Sequence, residues 1–177
     1  MSTAKGMAAL PRNLLVLLVT AAVLLVLLLV INQPLQNTSA PQGIVSFQLA
    51  GTAEHARTII RSWGAENLFW AKASLWLDFL FIPAYLLALL HLTRHFMQDR
   101  PGVRERTIAR WVRALFLTAG VSDTTQNILL LNNFHPPGDT LTLYATICAL
   151  VRYTGLALGI AGLVIIRASR RHPLVHS

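Results

Sequence analysis

Four long apolar segments dominate the pattern of hydrophobic and polar positions along this chain. They cover about residues 13–32, 69–93, 110–132 and 140–166. Each is close to the roughly 20 residues that a helix needs to cross the hydrocarbon core of a bilayer. The pattern therefore predicts an all-α membrane protein, with four transmembrane helices packed as a bundle in a single domain over residues 1–177.

The length of the first segment distinguishes it from a secretory signal. Residues 14–31 contain no charge and no proline, and every residue except Thr20 is apolar. A signal peptide shares the basic flank formed by Lys5 and Arg12, but its apolar region usually has about 7–15 residues. We therefore expect an uncleaved first span.

The stretch between the first two spans predicts a loop followed by a short amphipathic helix. Residues 32–50 are rich in Pro, Gly, Asn, Gln and Ser, which is typical of a loop. Apolar residues then recur at helical spacing on one face of about residues 52–63: Ala56, Ile59, Ile60 and Trp63. Thr52 is placed to cap this helix and Gly64 to end it. The helix is expected outside the cytoplasm, either at the membrane surface or packed as a lid over the outer end of the bundle.

Composition agrees with a membrane protein. The chain is 54% hydrophobic and 12% charged, whereas soluble domains have about 25% charged residues. The net charge of +8 does not indicate nucleic-acid binding, because the cationic residues gather at the ends of the spans. The single cysteine, Cys148, excludes an internal disulfide and any CxxC redox or zinc motif.

The distribution of Lys and Arg predicts the topology. Two precede the first span, and three follow the fourth. The second loop has five when Arg110 at the start of the third span is included, or six with Arg113. The first loop carries three, including Lys72, and the third loop carries none. By the positive-inside rule, both termini should be cytoplasmic in a multi-pass protein of the inner (plasma) membrane. Asp139 or Thr140 is expected to cap the fourth span.

Polar residues inside the spans mark the candidate site. They are Asp78 and Tyr85 in the second span, Asp123 and Asn127 in the third, and Arg152 in the fourth. At a rise of about 1.5 Å per residue, these positions fall in the outer half or the middle of the bundle. An ionisable residue at such depth is costly unless it is paired or faces water, and it marks a functional site by default.

Arg152 gives the sharpest expectation within this group. An arginine in the middle of a span costs about 2.5–3.5 kcal/mol on insertion scales, and its guanidinium does not lose its proton. Asp78 and Asp123 are the only acidic residues within the spans. We therefore predict that Arg152 pairs with Asp123, with Asp78 or with both.

Three interpretations of this polar cluster stay open at this stage. A buried ion pair can fix the packing of helices without any chemistry. Alternatively, the cluster is a binding or catalytic site, with Arg152 as an anchor facing an anion, the aspartates as its counter-charges, and Asn127 and Tyr85 as orienting groups. The third interpretation is a proton or ion path. One arginine for two acids leaves one carboxylate uncompensated, which is the argument for acid–base chemistry.

Three further positions predict helix packing. Pro83 removes a helical hydrogen bond beside Asp78, which predicts either a kink that shapes a cavity or a packing device. Gly155 and Gly159 form a small-residue face for close approach to the first span or to another protomer.

His91 and His95 share a helix face but lack a third ligand for a metal ion. The sequence therefore predicts no metal site, and no cofactor.

Three segments resemble a group of small, uncharacterised four-helix inner-membrane proteins of bacteria. They are Phe47-x-Leu49-Ala50 before a short helix ending in Trp, Asp78-Phe79-Leu80-Phe81 followed by Tyr85, and Asp123-x-x-Gln126-Asn127. The group has Glu where this chain has Gln126, and the resemblance covers about residues 46–165. It implies an architecture and a set of positions, and it carries over no activity.

The leading functional hypothesis is a binding or accessory protein of the inner membrane. Its polar cluster would hold a lipid-like or small amphipathic ligand, or would only fix the bundle. A membrane-embedded enzyme acting on a lipid-soluble substrate and a small oligomeric transporter are the alternatives. The expected partners are the lipid bilayer, a lipid-like ligand or a partner membrane subunit, and a second copy of the chain.

Overall fold

The computed structural model describes residues 10–98 and 102–171, and within these ranges the chain is helical without strands. The helices are α1 (Arg12–Asn32), α2 (Ile44–Gln48), α3 (Ala53–Phe96), α4 (Val103–Leu131) and α5 (Asp139–Arg171), with a 3₁₀ turn at Gln33–Leu35. The predicted all-helical class is confirmed. Lys5, Arg100 and the side chains of Arg170 and Arg171, all used in the predicted topology, lie outside the described part.

Three stretches of helix are long and apolar enough to cross a membrane: Arg12–Leu35, Ala53–Phe96 and Asp139–Ala168. They contain the predicted first, second and fourth spans. The predicted third span lies in α4, which does not meet this criterion of length and composition. Its first turns carry four arginines and its outer part carries Asp123, Gln126 and Asn127, so its average composition is less apolar.

Helix α3 bends at Gly64. This residue has φ +64° and ψ −176°, a combination that side chains with a Cβ disfavour strongly. The bend divides α3 into a short arm, residues 53–63, and a long arm, residues 65–96. The Thr52 hydroxyl accepts a hydrogen bond from the His55 N–H at 3.3 Å, so the predicted cap and the predicted break at Gly64 are both confirmed.

The short arm is a lid rather than a membrane-surface helix. Ala56, Ile59 and Trp63 are buried within the protein. The Trp63 ring packs edge-on against Phe47, with 5.7 Å between ring centroids. The Trp63 indole N–H donates to the carbonyl of Leu35 at 2.8 Å. The apolar face is therefore buried against the chain itself, and of the two predicted placements the structure has the lid.

Residues 32–50 are not the continuous loop that the sequence predicted. They contain the 3₁₀ turn and the five-residue α2, which is too short to give a periodic pattern. The Asn32 side chain at the end of α1 holds α2 in place: its oxygen accepts from the Ile44 N–H at 2.8 Å. Gly43 has φ +61°, and a Cβ there would overlap the Asn32 amide.

α3 and α5 run in the same direction. The Asp139 carboxylate accepts a hydrogen bond from the Ala53 N–H at 2.8 Å, which joins the beginnings of the two helices. At the other end, the Arg167 guanidinium lies 5.3 Å from the centre of the Phe96 ring. Asp139 or Thr140 was expected to cap α5, but both lie within α5, which begins at Asp139. The Asp139 carboxylate instead binds the beginning of α3, a long-range contact that local sequence rules do not reveal.

The glycines of α5 pack against α4. A Cβ on Gly155 would lie 3.1 Å from the Leu115 carbonyl oxygen, and a Cβ on Gly159 would overlap the Phe116 ring. The predicted close approach is present, but neither of the two partners considered for it is correct. The partner is α4 of the same chain rather than α1 or another protomer, because α4 and α5 are joined by a short loop.

Pro83 does not break the long arm. Within α3, only Gly64 departs from helical dihedral angles, and the helix continues through Pro83. The Pro83 side chain is exposed on the outside of the protein. Its ring is not among the residues that line the cavity described below, so the residue does not shape the site directly.

We predict that Gly159→Ala lowers the free energy of unfolding by about 1–3 kcal/mol, the usual effect of overpacking. The added methyl overlaps the fully buried Phe116 ring. Alanine would otherwise stabilise a helix interior by up to about 1 kcal/mol relative to glycine. The measurement is thermal unfolding in detergent, with Phe116→Leu added as the compensating change. A Gly159→Ala protein at least as stable as the wild type would contradict this packing.

Candidate functional site

The structure brings the three charged candidates together. The Arg152 guanidinium nitrogen Nη1 contacts the Asp123 carboxylate and lies 3.9 Å from Oδ2 of Asp78. The side chains are buried, with exposed fractions of 9% for Arg152, 11% for Asp78 and 2% for Asp123. The prediction that Arg152 pairs with Asp123, with Asp78 or with both is confirmed, and the structure has both pairs. The contact joins α5 to α3 and α4 inside the bundle.

The two orienting residues complete a network between α3 and α4. The Tyr85 hydroxyl of α3 donates to Oδ2 of Asp123 at 3.1 Å. The Asn127 amide of α4 donates to Oδ2 of Asp78 at 2.8 Å. Each hydrogen bond therefore crosses from one helix to the other, and each carboxylate receives a neutral donor as well as the guanidinium.

Two members of the site were not predicted. Gln48, at the end of α2, accepts hydrogen bonds from Nη2 of Arg152 at 2.9 Å and from the Tyr153 hydroxyl at 3.1 Å. The Arg152 guanidinium carbon also lies 4.4 Å from the centre of the Tyr153 ring. Gln48 lies within the predicted loop, so periodicity gave no signal. Gln48 is the second residue of the Phe-x-Leu-Ala segment that carries the resemblance. That position was the one signal in the sequence that could have pointed to Gln48.

Most of the Arg152 guanidinium is engaged by the protein. Two carboxylates lie beside it, Gln48 accepts from Nη2, and the Tyr153 ring lies against it. Its Nε has no hydrogen-bond partner among the described residues. These contacts are suited to a cation that compensates buried acids, and the expectation that Arg152 anchors an external anion stays a prediction.

A cavity of about 240 Å³ opens beside the cluster. Its polar end is formed by Asp78, Tyr85, Asp123 and Arg152. Leucine side chains of α1 also line the cavity, together with Asn32 and residues of α2, α3 and α5. Such a volume lies just below the range of about 300–1,000 Å³ that is typical of small-molecule sites. The cavity therefore has one charged end and one apolar wall.

The other predicted polar groups stay outside this site. Gln126 is completely buried, and its amide makes no hydrogen bond with the described residues. His91 is exposed, whereas His95 is partly buried. No group of three His, Cys, Asp or Glu side chains in the described ranges is arranged to hold a metal ion.

We predict that Arg152→Met lowers the free energy of unfolding by about 3–5 kcal/mol, because it leaves Asp123 buried without its cation. The double variant Arg152→Met with Asp123→Leu should recover most of this loss, since no unpaired carboxylate then remains at that position. Thermal unfolding in detergent measures both effects.

Arg113→Met is the matched control, because Arg113 is exposed on α4 and its removal should cost under about 1 kcal/mol. Losses that simply add in the double variant would show that the two side chains do not interact.

Searches of protein-family models, curated proteins and solved structures returned no match. The resemblance of the Phe-x-Leu-Ala, Asp-Phe-Leu-Phe and Asp-x-x-Gln-Asn segments therefore stays a prediction. The function has to be argued from the cavity and the residues that line it.

Proposed function

We propose that the chain is a four-span protein of the inner membrane that binds a small amphipathic, lipid-like molecule between α1 and the Asp–Arg cluster. One observation carries the binding function: a single cavity connects the buried charges to the leucines of α1. A purely structural ion pair needs no such space. An amphipathic molecule matches both surfaces, with its polar group at the cluster and its apolar part along α1.

The directions of the helices support α4 as the fourth membrane-crossing helix. α3 and α5 are parallel and both are apolar enough to span the bilayer. Only six residues connect α3 to α4 and seven connect α4 to α5. At about 3.3–3.6 Å per residue these connections reach at most about 25 Å, less than the hydrocarbon thickness of about 30 Å. Because the connections are too short to cross the bilayer, α4 crosses it in the direction opposite to α3 and α5.

Burial of the polar residues of α4 makes this assignment physically acceptable. Asp123, Gln126 and Asn127 are all at most 1% exposed, so they face other helices rather than lipid. The outward face carries apolar side chains such as Leu117, Val121 and Ile128. Together with the positive-inside rule, this favours cytoplasmic termini and an extracytoplasmic lid.

A structural role is the second candidate, and the hydrogen-bond network favours it. Tyr85, Asn127 and Arg152 each donate across a helix interface, and such a network can fix the register of a bundle. The two candidates differ in what they require of the cavity. If the cluster is only structural, a side chain that fills the cavity should not change its function. If the protein binds a ligand there, the same side chain should abolish binding.

We predict that the two ends of α4 lie on opposite sides of the membrane. The test labels single cysteines, introduced in a Cys148→Ala background, with a membrane-impermeant maleimide. Cysteines at Asn37 and His135 should be labelled in intact spheroplasts. A cysteine at Arg104 should be labelled only after permeabilisation, because α4 separates it from His135. Labelling of the Arg104 and His135 positions from the same side would show that α4 does not cross.

We predict that Leu28→Trp abolishes binding of a co-purifying small molecule, because Leu28 lines the cavity and the indole would fill it. Val30→Trp is the matched control, since Val30 lies on the exposed face of α1 and should leave binding unchanged. Native mass spectrometry of protein extracted gently from its membrane gives the measurement. Equal ligand occupancy in the two variants, or none in the wild type, would favour the structural role.

A further inference from the structure

Asp78 is the more exposed of the two aspartates that line the cavity. Both oxygens of Asp123 are engaged, one by Arg152 and the other by Tyr85. Oδ2 of Asp78 accepts from Asn127, whereas Oδ1 accepts no hydrogen bond from the described residues. The exposed fraction of the Asp78 side chain is 11%, against 2% for Asp123. Of the two aspartates, Asp78 is therefore the one with a hydrogen-bond acceptor available to a ligand.

The lining of the cavity has a surplus of negative charge. Its ionisable acids are the two aspartates, and Arg152 is the only Lys, Arg or His among the lining residues that the structure describes. One cation thus faces two carboxylates in a region of low dielectric constant, where an uncompensated charge is costly. A second positive charge placed near Asp78 would balance the site.

Two aromatic side chains line the same cavity as Asp78. Phe81 and Tyr85 both line the cavity, with 5.1 Å between their ring centroids. They lie on the same helix as Asp78, at the third and seventh positions after it. Aromatic faces attract cations through their quadrupole, and they attract anions poorly. Carboxylate and aromatic groups together are a typical surrounding for an ammonium group.

The leucine side chains that line the cavity accommodate a hydrocarbon chain. Leu25, Leu28 and Leu29 of α1 line the cavity together with Leu156 of α5. α1 otherwise exposes most of its side chains, as expected for a helix in contact with lipid. A chain lying along these leucines would exchange contacts with lipid for contacts with α1 at little cost, so the polar group decides which molecule is selected.

We infer that the cavity selects an amphiphile with a cationic, hydrogen-bond-donating head, an amine on an alkyl chain, whose ammonium group binds Oδ1 of Asp78. This inference rests on the proposed binding function and names the chemistry of its ligand. Arg152 keeps Asp123 compensated, and Asp78 is left to bind the ligand. The site therefore prefers a cation, although its most conspicuous residue is an arginine.

The test compares three probes of equal chain length, decylamine, decanol and decanoate, in protein reconstituted into lipid nanodiscs and titrated by native mass spectrometry. In the wild type we expect decylamine to bind about tenfold more tightly than decanol, the value of one charge-assisted hydrogen bond. Decanoate should bind most weakly. Asp78→Asn should weaken decylamine about tenfold and leave decanol within about twofold.

Two control variants separate this inference from the binding function itself. Glu66→Gln removes one negative charge from an exposed position on α3 and should change none of the affinities. Leu28→Trp should weaken all three probes. Unchanged decanol binding in Asp78→Asn shows that the variant keeps its fold and its cavity.

Three outcomes would overturn the inference while leaving the binding function intact. Preference for decanoate would make Arg152 the anchor. Equal binding of decylamine and decanol would show that the cluster needs no external cation. An equal loss of all three probes in Asp78→Asn would assign Asp78 to the shape of the cavity. Absence of binding by the wild type, or no effect of Leu28→Trp, would contradict the binding function as well.

Discussion

The architecture depends on keeping one guanidinium charged inside a bundle of apolar helices. Arg152 cannot lose its proton, and in a bilayer its charge requires partners from the protein. Those partners come from three other helices: Asp123 of α4, Asp78 of α3 and Gln48 of α2. Each must be held at the correct depth and on the correct helix face. The charge therefore sets the relative position of the four helices that meet around it.

Small residues allow the helices to come close enough for these contacts. Gly155 and Gly159 place α5 directly against the backbone and the Phe116 ring of α4. They lie one and two turns beyond Arg152 on the same helix. Gly120, three residues before Asp123, meets Leu86 of α3. Close packing and ion pairing therefore occur side by side on the same helices.

The sequence predicted the parts of the fold that follow from periodicity and cost. Apolar length indicated the three helices that are apolar enough to cross a membrane, the Thr52 and Gly64 positions indicated the limits of the lid helix, and the cost of a buried arginine indicated its acidic partners. The positions of α2 and Gln48 could not be predicted, because a five-residue helix has no period and its location depends on Asn32. The individual hydrogen bonds of the two acids were also beyond sequence reasoning. Composition shows one arginine and two acids, but only the geometry shows that Tyr85 donates to Asp123 and Asn127 to Asp78.

The contacts of α5 have a consequence for the biosynthesis of the protein. Asp78 and Asp123 leave the ribosome before Arg152, so both acids are synthesised before their cation. The N–H of Ala53 is likewise bound by a residue 86 positions later in the chain. A nascent chain that ends before α5 therefore lacks both the cation and this contact at the beginning of α3. The network of the finished protein can form only after the last helix has been synthesised.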